Sequence, residues 1–413
     1  MINKFSPLKE LCTDVVDCPH STPKWLREGI TVIRNFNIKK GKLNLSDHYC
    51  VDEETYANRT SRAIPEYQDL IISREAPMGE VCLVPKNLKC CLGQRLVLLK
   101  VDKEKCIPEY LLYALMSNYV QAQIKKVDKT GSIVSNLNIP DLENLSIPIV
   151  SKPEQQKIVE LLTTIDEKID ANNKIQETNK KYIDEIFAYW FYQYDFPDQN
   201  GKPYATSGNP MKFDEELESN IPVDFRKINV GELYNDNVQK ISPQEFPKTE
   251  YYHYSLPAYD ECKSYMIELG GSIKSDKSIV TGNHVLVSKL NPWFNRVLIP
   301  EEKEHMIAST EFIVWNSKSV AIRNFLYVVA TSKNFIEYCT AKATGTSNSH
   351  KRIDPKVMER YSVIANEEII EEFGKTIQSN IEMLQNIKKE NRKLFDLKWY
   401  LLDLLIVGQI KRK

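Results

Sequence analysis

Apolar residues recur at three- and four-residue steps over one long stretch of the chain: Ile158, Leu161, Leu162, Ile165 and Ile169. That is the spacing of a helical stripe packed in a coiled-coil seam. It predicts a single helix over 153–192, with Pro153 where a first-turn proline is tolerated and Glu154 near the positive end of the helix dipole. The pattern returns at an offset of 212 (370 − 158), with Ile370, Phe373, Ile377, Ile381 and Ile387 in place of Ile158, Leu161, Ile165, Ile169 and Ile175. Asn179, Lys181 and Asp184 likewise match Asn391, Lys393 and Asp396, and Leu394, Leu397, Leu401, Leu404 and Leu405 continue the stripe. A second helix is therefore predicted over 367–406. At 1.5 Å per residue, helices of ~40 residues would each be ~60 Å long.

Upstream of each helix the pattern changes to short apolar runs. Residues 69–74 and 80–85 predict two strands around the turn Glu75-Ala76-Pro77-Met78-Gly79, 95–101 predicts a third, and Pro108 opens a helix to about Ile124. Residues 284–289, 296–300, 310–315 and 323–338 replay that order. Ser73, Pro77 and Pro85 match Ser288, Pro292 and Pro300 at an offset of 215 (288 − 73), and Thr130-Gly131 matches Thr344-Gly345. A repeat this long exceeds a solenoid unit of roughly 20–50 residues. It predicts a duplicated module: a mixed domain over 1–150, a helix over 151–194, a Pro- and Gly-punctuated linker over 195–222, a second mixed domain over 223–365 and a second helix over 366–413. Two helices with matching stripes pack most simply on each other, and two copies of one surface suggest a ligand with two similar sites.

Composition adds bounds. A chain of 413 residues suits two or three domains. No apolar run approaches the ~20 residues needed to span a bilayer, and the first residues lack a signal-peptide core. Nine cysteines without a C-x-x-C pair read as reduced core thiols of a cytoplasmic protein, not as a metal site. The net charge of −1 excludes nothing, because nucleic-acid binding depends on clustering of Lys and Arg on one face.

The motifs along both copies resemble a known family. Gly131-Ser132-Ile133-Val134-Ser135-Asn136-Leu137, Ile147-Pro148, Glu154-Gln155-Gln156-Lys157-Ile158 and Ile165-Asp166-Glu167-Lys168-Ile169 are similar to the end of a target-recognition domain and the central helix of type I restriction-modification specificity (S) subunits. Cys18 to Pro23, Ile72 to Val81, Thr344 to Ser349, Lys351-Arg352-Ile353 and Leu401 to Ile410 look like further parts of that pattern. The second copy departs from it: Asn366-Glu367-Glu368-Ile369-Ile370 stands for Glu154 to Ile158, and Asn291-Pro292-Trp293-Phe294 for Ala76 to Gly79. The resemblance implies an α+β fold, with two mixed α/β target-recognition domains joined by two long antiparallel coiled-coil helices in a pseudo-two-fold repeat. It further implies that each domain reads one half of a split, asymmetric site on double-stranded DNA and that the helices set the spacer. Two modification subunits would carry S-adenosylmethionine and methylate adenine. Two restriction subunits would supply ATP- and magnesium-dependent translocation and cleavage. The chain itself would bind no cofactor and hold no catalytic centre.

The residues agree with a non-catalytic reader. Asn291-Pro292-Trp293-Phe294 approaches the N-P-P-[FY] motif of adenine methyltransferases, but Trp replaces the second proline, no G-x-G loop opens a preceding βαβ unit, and the repeat aligns the segment with a hairpin turn. Gly270-Gly271-Ser272-Ile273-Lys274-Ser275 is too short for a P-loop, and the six histidines form no H-x-x-x-H pair. DNA contact is expected from polar, basic loops, where short side chains admit phosphates and cations neutralise them. The leading candidates are Thr344, Thr346, Ser347, Asn348, Lys351 and Arg352, with Lys129, Thr130 and Ser132 as first-copy counterparts. His20, Ser21, Thr22, Lys24, Arg59, Arg62 and Arg74 follow, then Lys274, Lys277, Lys289 and Arg296. Glu167, Lys168, Asn172, Asn173 and Lys174 mark a polar helix face suited to docking the modification subunits. Two alternatives stay open: a specificity subunit guiding a fused methyltransferase-nuclease, and a coiled-coil scaffold binding proteins.

Overall fold

The computed structural model describes residues 4–128, 136–235, 237–345 and 350–407. They form two compact units, Met1–Asp170 with Lys393–Lys413, and Ala171–Arg392. Among the described residues no helix is long and apolar enough to cross a membrane.

The first unit is built on a four-stranded antiparallel sheet in the order Cys12–Asp17, Leu96–Val101, Leu70–Ser73, Val81–Leu83. Strands Leu70–Ser73, Val81–Leu83 and Leu96–Val101 are near-continuous apolar runs because both faces are covered, whereas the edge strand Cys12–Asp17 is more polar and more exposed. Leu70, Ile72, Val97 and Leu99 pack on Tyr110, Leu111, Ala114 and Leu115 of helix Pro108–Met116. The alternate residues Ile71, Cys82, Leu96 and Leu98 pack on Ile33, Ile38, Cys90 and Leu92. On that second side lies a three-stranded sheet, Tyr49–Val51, Ile30–Ile33, Cys90–Leu92, in which Ile30–Ile33 runs parallel to Cys90–Leu92. Burial pushes the thiols of Cys12, Cys90 and Cys106 up to about 12, so they pack as small hydrophobes.

The second unit repeats this plan. Tyr234–Asn235, Phe312–Ser317, His284–Ser288 and Val297–Leu298 form the matching sheet in the matching order. Val285, Val287 and Trp315 face one core while Leu286, Val314 and Phe312 face another. The pairing of Lys4–Pro7 with Ser146–Ile149 recurs as Arg226–Asn229 with Ser362–Ala365. The smaller sheet has grown to five strands, in which Glu250–Tyr254 runs parallel to Met306–Ala308 as Ile30–Ile33 does to Cys90–Leu92.

Three sequence expectations change. The helices expected over 108–124 and 323–338 are each two helices, broken at Ser117 and Ser332. Each serine caps twice: Ser117 Oγ donates to Ala114 O and accepts from Val120 N, and Ser332 Oγ donates to Val329 O and accepts from Phe335 N. The second long helix is also interrupted, as Glu367–Thr376 and Gln378–Val407, whereas the first runs unbroken over Lys152–Phe191. Finally, the stretch 195–222, expected as a linker, carries its own contacts. Phe196 stacks on Phe225 and Tyr204, Thr206 donates to both carboxylate oxygens of the buried Asp195, and Met211–Asp214 pairs with Ser219–Pro222.

The seam of the long helices also differs in detail. In the first unit Ile158, Val159 and Leu162 share a core with Leu402 and Ile406. In the second, Ile183, Phe187 and Trp190 share one with Phe373, Ile377 and Ile381. Leu161 and Ile175, expected in the seam, are 44% and 46% exposed, and Leu397 also points outward. Polar residues take inward positions. Lys398 is buried and donates to both carboxylate oxygens of Asp166 at 2.7 Å, where Tyr113 Oη also donates at 2.8 Å. Asn172, expected on the outer face, is buried and donates to Asn391 Oδ1 (2.8 Å) and Glu390 Oε2 (2.7 Å). Asn391 donates to Asn173 Oδ1, and Asn179 and Asn380 exchange hydrogen bonds. Within that unit the partners fall in number along one helix as they rise along the other, so the two segments run antiparallel.

Candidate nucleic-acid interface

In both units the expected reading loop is anchored at the same backbone position. The residue that follows the third strand of the main sheet is Arg74 in one copy and Lys289 in the other. Arg74 N donates to Arg95 O, and its own carbonyl accepts from Leu137 N. Lys289 N donates to Glu311 O, and its carbonyl accepts from Ile353 N. One serine earlier, Ser73 N and Ser288 N close the two hairpins onto Glu80 O and Arg296 O. Leu137 and Ile353, each just after an expected reading loop, therefore meet the sheet at equivalent points.

The second loop is further held from both sides. Thr344 and Arg352 exchange backbone hydrogen bonds at 2.9 and 2.8 Å. Asn291, in a left-handed conformation (φ 49°), donates its N–H to Lys351 O and accepts Lys351 N–H on Oδ1. The carboxamide that resembled a methyltransferase motif is thus engaged in pinning a loop. Lys129, Thr130 and Ser132 in the first copy, and Thr346, Ser347 and Asn348 in the second, lie outside the described residues.

The candidate cations divide sharply. Arg59 is buried and donates Nε to Leu92 O, Nη1 to Ser21 O and Nη2 to Pro19 O. It holds the His20-Ser21-Thr22 loop from beneath, while Gln94 donates to His20 O and Thr22 Oγ1 from the side. Arg74 is buried too, with Nη1 on both oxygens of Asp17 (2.7 and 2.8 Å) and Nε on Leu137 O. Arg296 makes a bidentate pair with Asp260 at 2.7 Å. Lys277 is buried, bonded to Ser275, and burial lowers its pKa. These four side chains are committed to the fold, and none of them presents its charge to a ligand. Arg352 is half exposed and paired with Glu311, whose carboxylate raises the arginine pKa. His20, Ser21, Thr22, Lys24, Arg62, Lys274 and Thr344 are exposed, and Lys289 and Lys351 are partly so. His20 Nε2 lies 3.2 Å from Asp17 Oδ2.

Sequence reasoning passed over one cation altogether. The guanidinium of Arg34, just after strand Ile30–Ile33, lies over the rings of Trp25, Phe36 and Tyr49 at 4.9, 4.7 and 5.1 Å. The available signal was aromatic residues interleaved with Lys and Arg between residues 24 and 49.

Residues 18–180 match the sequence profile of the type I restriction modification DNA specificity domain, which falls on the first copy and the start of its long helix. The MjaIX type I restriction enzyme specificity subunit of Methanocaldococcus jannaschii is 23% identical over 410 residues, covering 96% of this chain and 87% of that protein. The HindI specificity subunit of Haemophilus influenzae is 26% identical over 130 residues, 31% of this chain and 28% of its own length. The crystal structure of a type I restriction-modification S subunit from M. genitalium shares the fold, with a TM-score of 0.56 at 18% identity, covering 98% of this chain and 96% of that one. The duplicated sheet-and-helix plan thus defines an α+β fold of two similar units with two long helices. The first copy matches a type I restriction modification DNA specificity domain, and nearly the whole chain is similar to type I specificity subunits.

Proposed function

We propose that this chain is the DNA-reading, non-catalytic subunit of a type I restriction-modification assembly. Each unit reads one half of a bipartite, asymmetric target, and the paired helices set the spacer between the halves. The observation that carries this reading is the duplicated anchor: two copies of one sheet bond Leu137 and Ile353, which follow the two expected reading loops, at the same backbone position, while the side chains around it differ. One frame with two different reading surfaces suits two different half-sites. Modification subunits binding S-adenosylmethionine, and restriction subunits using ATP and magnesium, would supply the chemistry, two of each. Exposed Ile175, Tyr182 and Tyr189 recur seven residues apart on the first helix, and with Glu167, Lys168 and Lys174 they give the modification subunits a mixed apolar and charged face to dock on.

Methylome sequencing of a host with and without the gene tests this reading. The expected result is loss of one bipartite methylated motif; an unchanged methylome rejects it. Deleting one helical turn from each long helix should shorten the preferred spacer. A spacer that stays the same would exclude the helices as the ruler.

A further inference from the structure

The Arg34 cluster is built as a reading head. Trp25 precedes the three-stranded sheet, Phe36 sits in the turn after strand Ile30–Ile33, and Tyr49 opens the neighbouring strand. Gly93 lies against the arginine stem, where an added Cβ would come within 3.0 Å of Arg34 Cγ. Asn37 Oδ1 accepts the Arg34 backbone N–H at 3.0 Å and so fixes the turn. The rings attract the cation and restrict its rotamers, yet they offer no lone pair to its five N–H donors. Among the described residues no hydrogen bond or ion pair engages the guanidinium, in contrast to Arg59, Arg74, Arg296 and Arg352, which all have oxygen partners. Phe36 and Tyr49 are 47% and 38% exposed, so the cluster faces solvent. It stands beside the exposed Thr22 and Lys24 of the loop that Arg59 and Gln94 hold in place. An oriented arginine with an open donor fork matches the paired O6 and N7 acceptors of guanine in the major groove.

We propose that Arg34, oriented by Trp25, Phe36 and Tyr49, is the guanine-reading residue of the first unit. This rests on the DNA-reading function above and names the residue and base by which one half-site is recognised. The test is selection of random duplexes by the full-length chain co-purified with its modification subunits, for wild type, Arg34→Ala and Arg34→Lys. Wild type should enrich a two-part site with a guanine required at one position. Both variants should lose that preference by about 5- to 150-fold, leaving the other half-site intact. Arg34→Lys keeps the charge but not the planar fork that lies over the rings, so it should lose guanine discrimination without a change in salt slope. Replacing that guanine with 7-deazaguanine should weaken wild type and leave Arg34→Lys unaffected. Variants that enrich the wild-type motif overturn the assignment. So does a uniform loss of affinity with a shallower salt slope, which would make Arg34 a phosphate ligand. A wild-type complex that enriches no sequence would instead overturn the DNA-reading function itself.

Discussion

The two units share a backbone and differ in what their arginines do. The strand-end residue in the first unit is Arg74, buried and doubly bonded to Asp17, while its second-unit counterpart Lys289 is partly exposed and contributes its backbone. The close helix approach is likewise filled in opposite ways. In the second unit Gly374 sits where an added Cβ would lie 2.0 Å from Ala321 O, and Asn324 donates to the Gly374 carbonyl. The position 212 residues earlier is Leu162, fully buried in the first unit's core. Duplication thus preserved the hydrogen-bond frame and the alternation of strand faces, and let bulk and charge drift around them. What must be kept is what fixes the loop anchor, and what may change is what surrounds it.

The sharpest way to break this comparison is at the helix approach. Gly374→Ala should destabilise the second unit by about 1–3 kcal/mol or more through overpacking against backbone, and Leu162→Ala the first by about 2–5 kcal/mol through a cavity. Urea denaturation followed by hydrogen exchange should locate each loss in its own unit. Equal losses in both units would contradict a separate core for each. Next comes the strand-end pair. Arg74→Ala should cost about 3–5 kcal/mol because it leaves partly buried Asp17 with only the exposed His20 beside it, while Lys289→Ala should stay within about 1 kcal/mol. Matching costs would mean that the two anchors are equivalent after all.

A smaller effect is expected from pH. Burial lowers the pKa of His253 and of His284 below 6.5, whereas His20 and His48 in the first unit are exposed. Below that value the unfolded chain binds more protons than the folded one, so stability falls as pH falls. The second unit should therefore lose stability between about pH 6.5 and 5 through these groups, and His253→Gln with His284→Gln should flatten the slope. A slope unchanged by both substitutions would remove the histidines as its cause. The smallest change concerns binding. Lys351→Ala with Arg352→Ala should leave folding almost untouched and reduce the salt slope of DNA binding by about 1 for each phosphate no longer neutralised. An unaltered slope would take both residues out of the footprint.

Much of the architecture is local and was legible. The strands at 70–73, 81–83, 96–101, 284–288 and 312–317 largely coincide with the apolar runs that predicted them, and the first long helix ends within a residue or two of its expected bounds. The serine breaks at 117 and 332 were not, because a cap inside an otherwise helical pattern leaves the apolar period almost unchanged. Nor was the inward face of the long helices. Leu161 and Leu162 fit the period equally well, and only the partner helix decides which is covered. The candidate cations failed to sort for the same reason. Arg74 meets an aspartate 57 residues away and Arg296 one 36 residues away, and neither pairing has a local signature.

The sequence by itself determined the duplication, the type and order of most elements, and the resemblance to type I specificity subunits, because apolar period and motif order are properties of neighbouring residues. The tertiary structure alone decided which side of each helix is buried, which asparagines pair across the seam, and which arginines are captured by carboxylates and which, like Arg34, is left with only aromatic rings. Those outcomes depend on groups far apart in the chain, where desolvation and geometry choose among residues that look alike in one dimension.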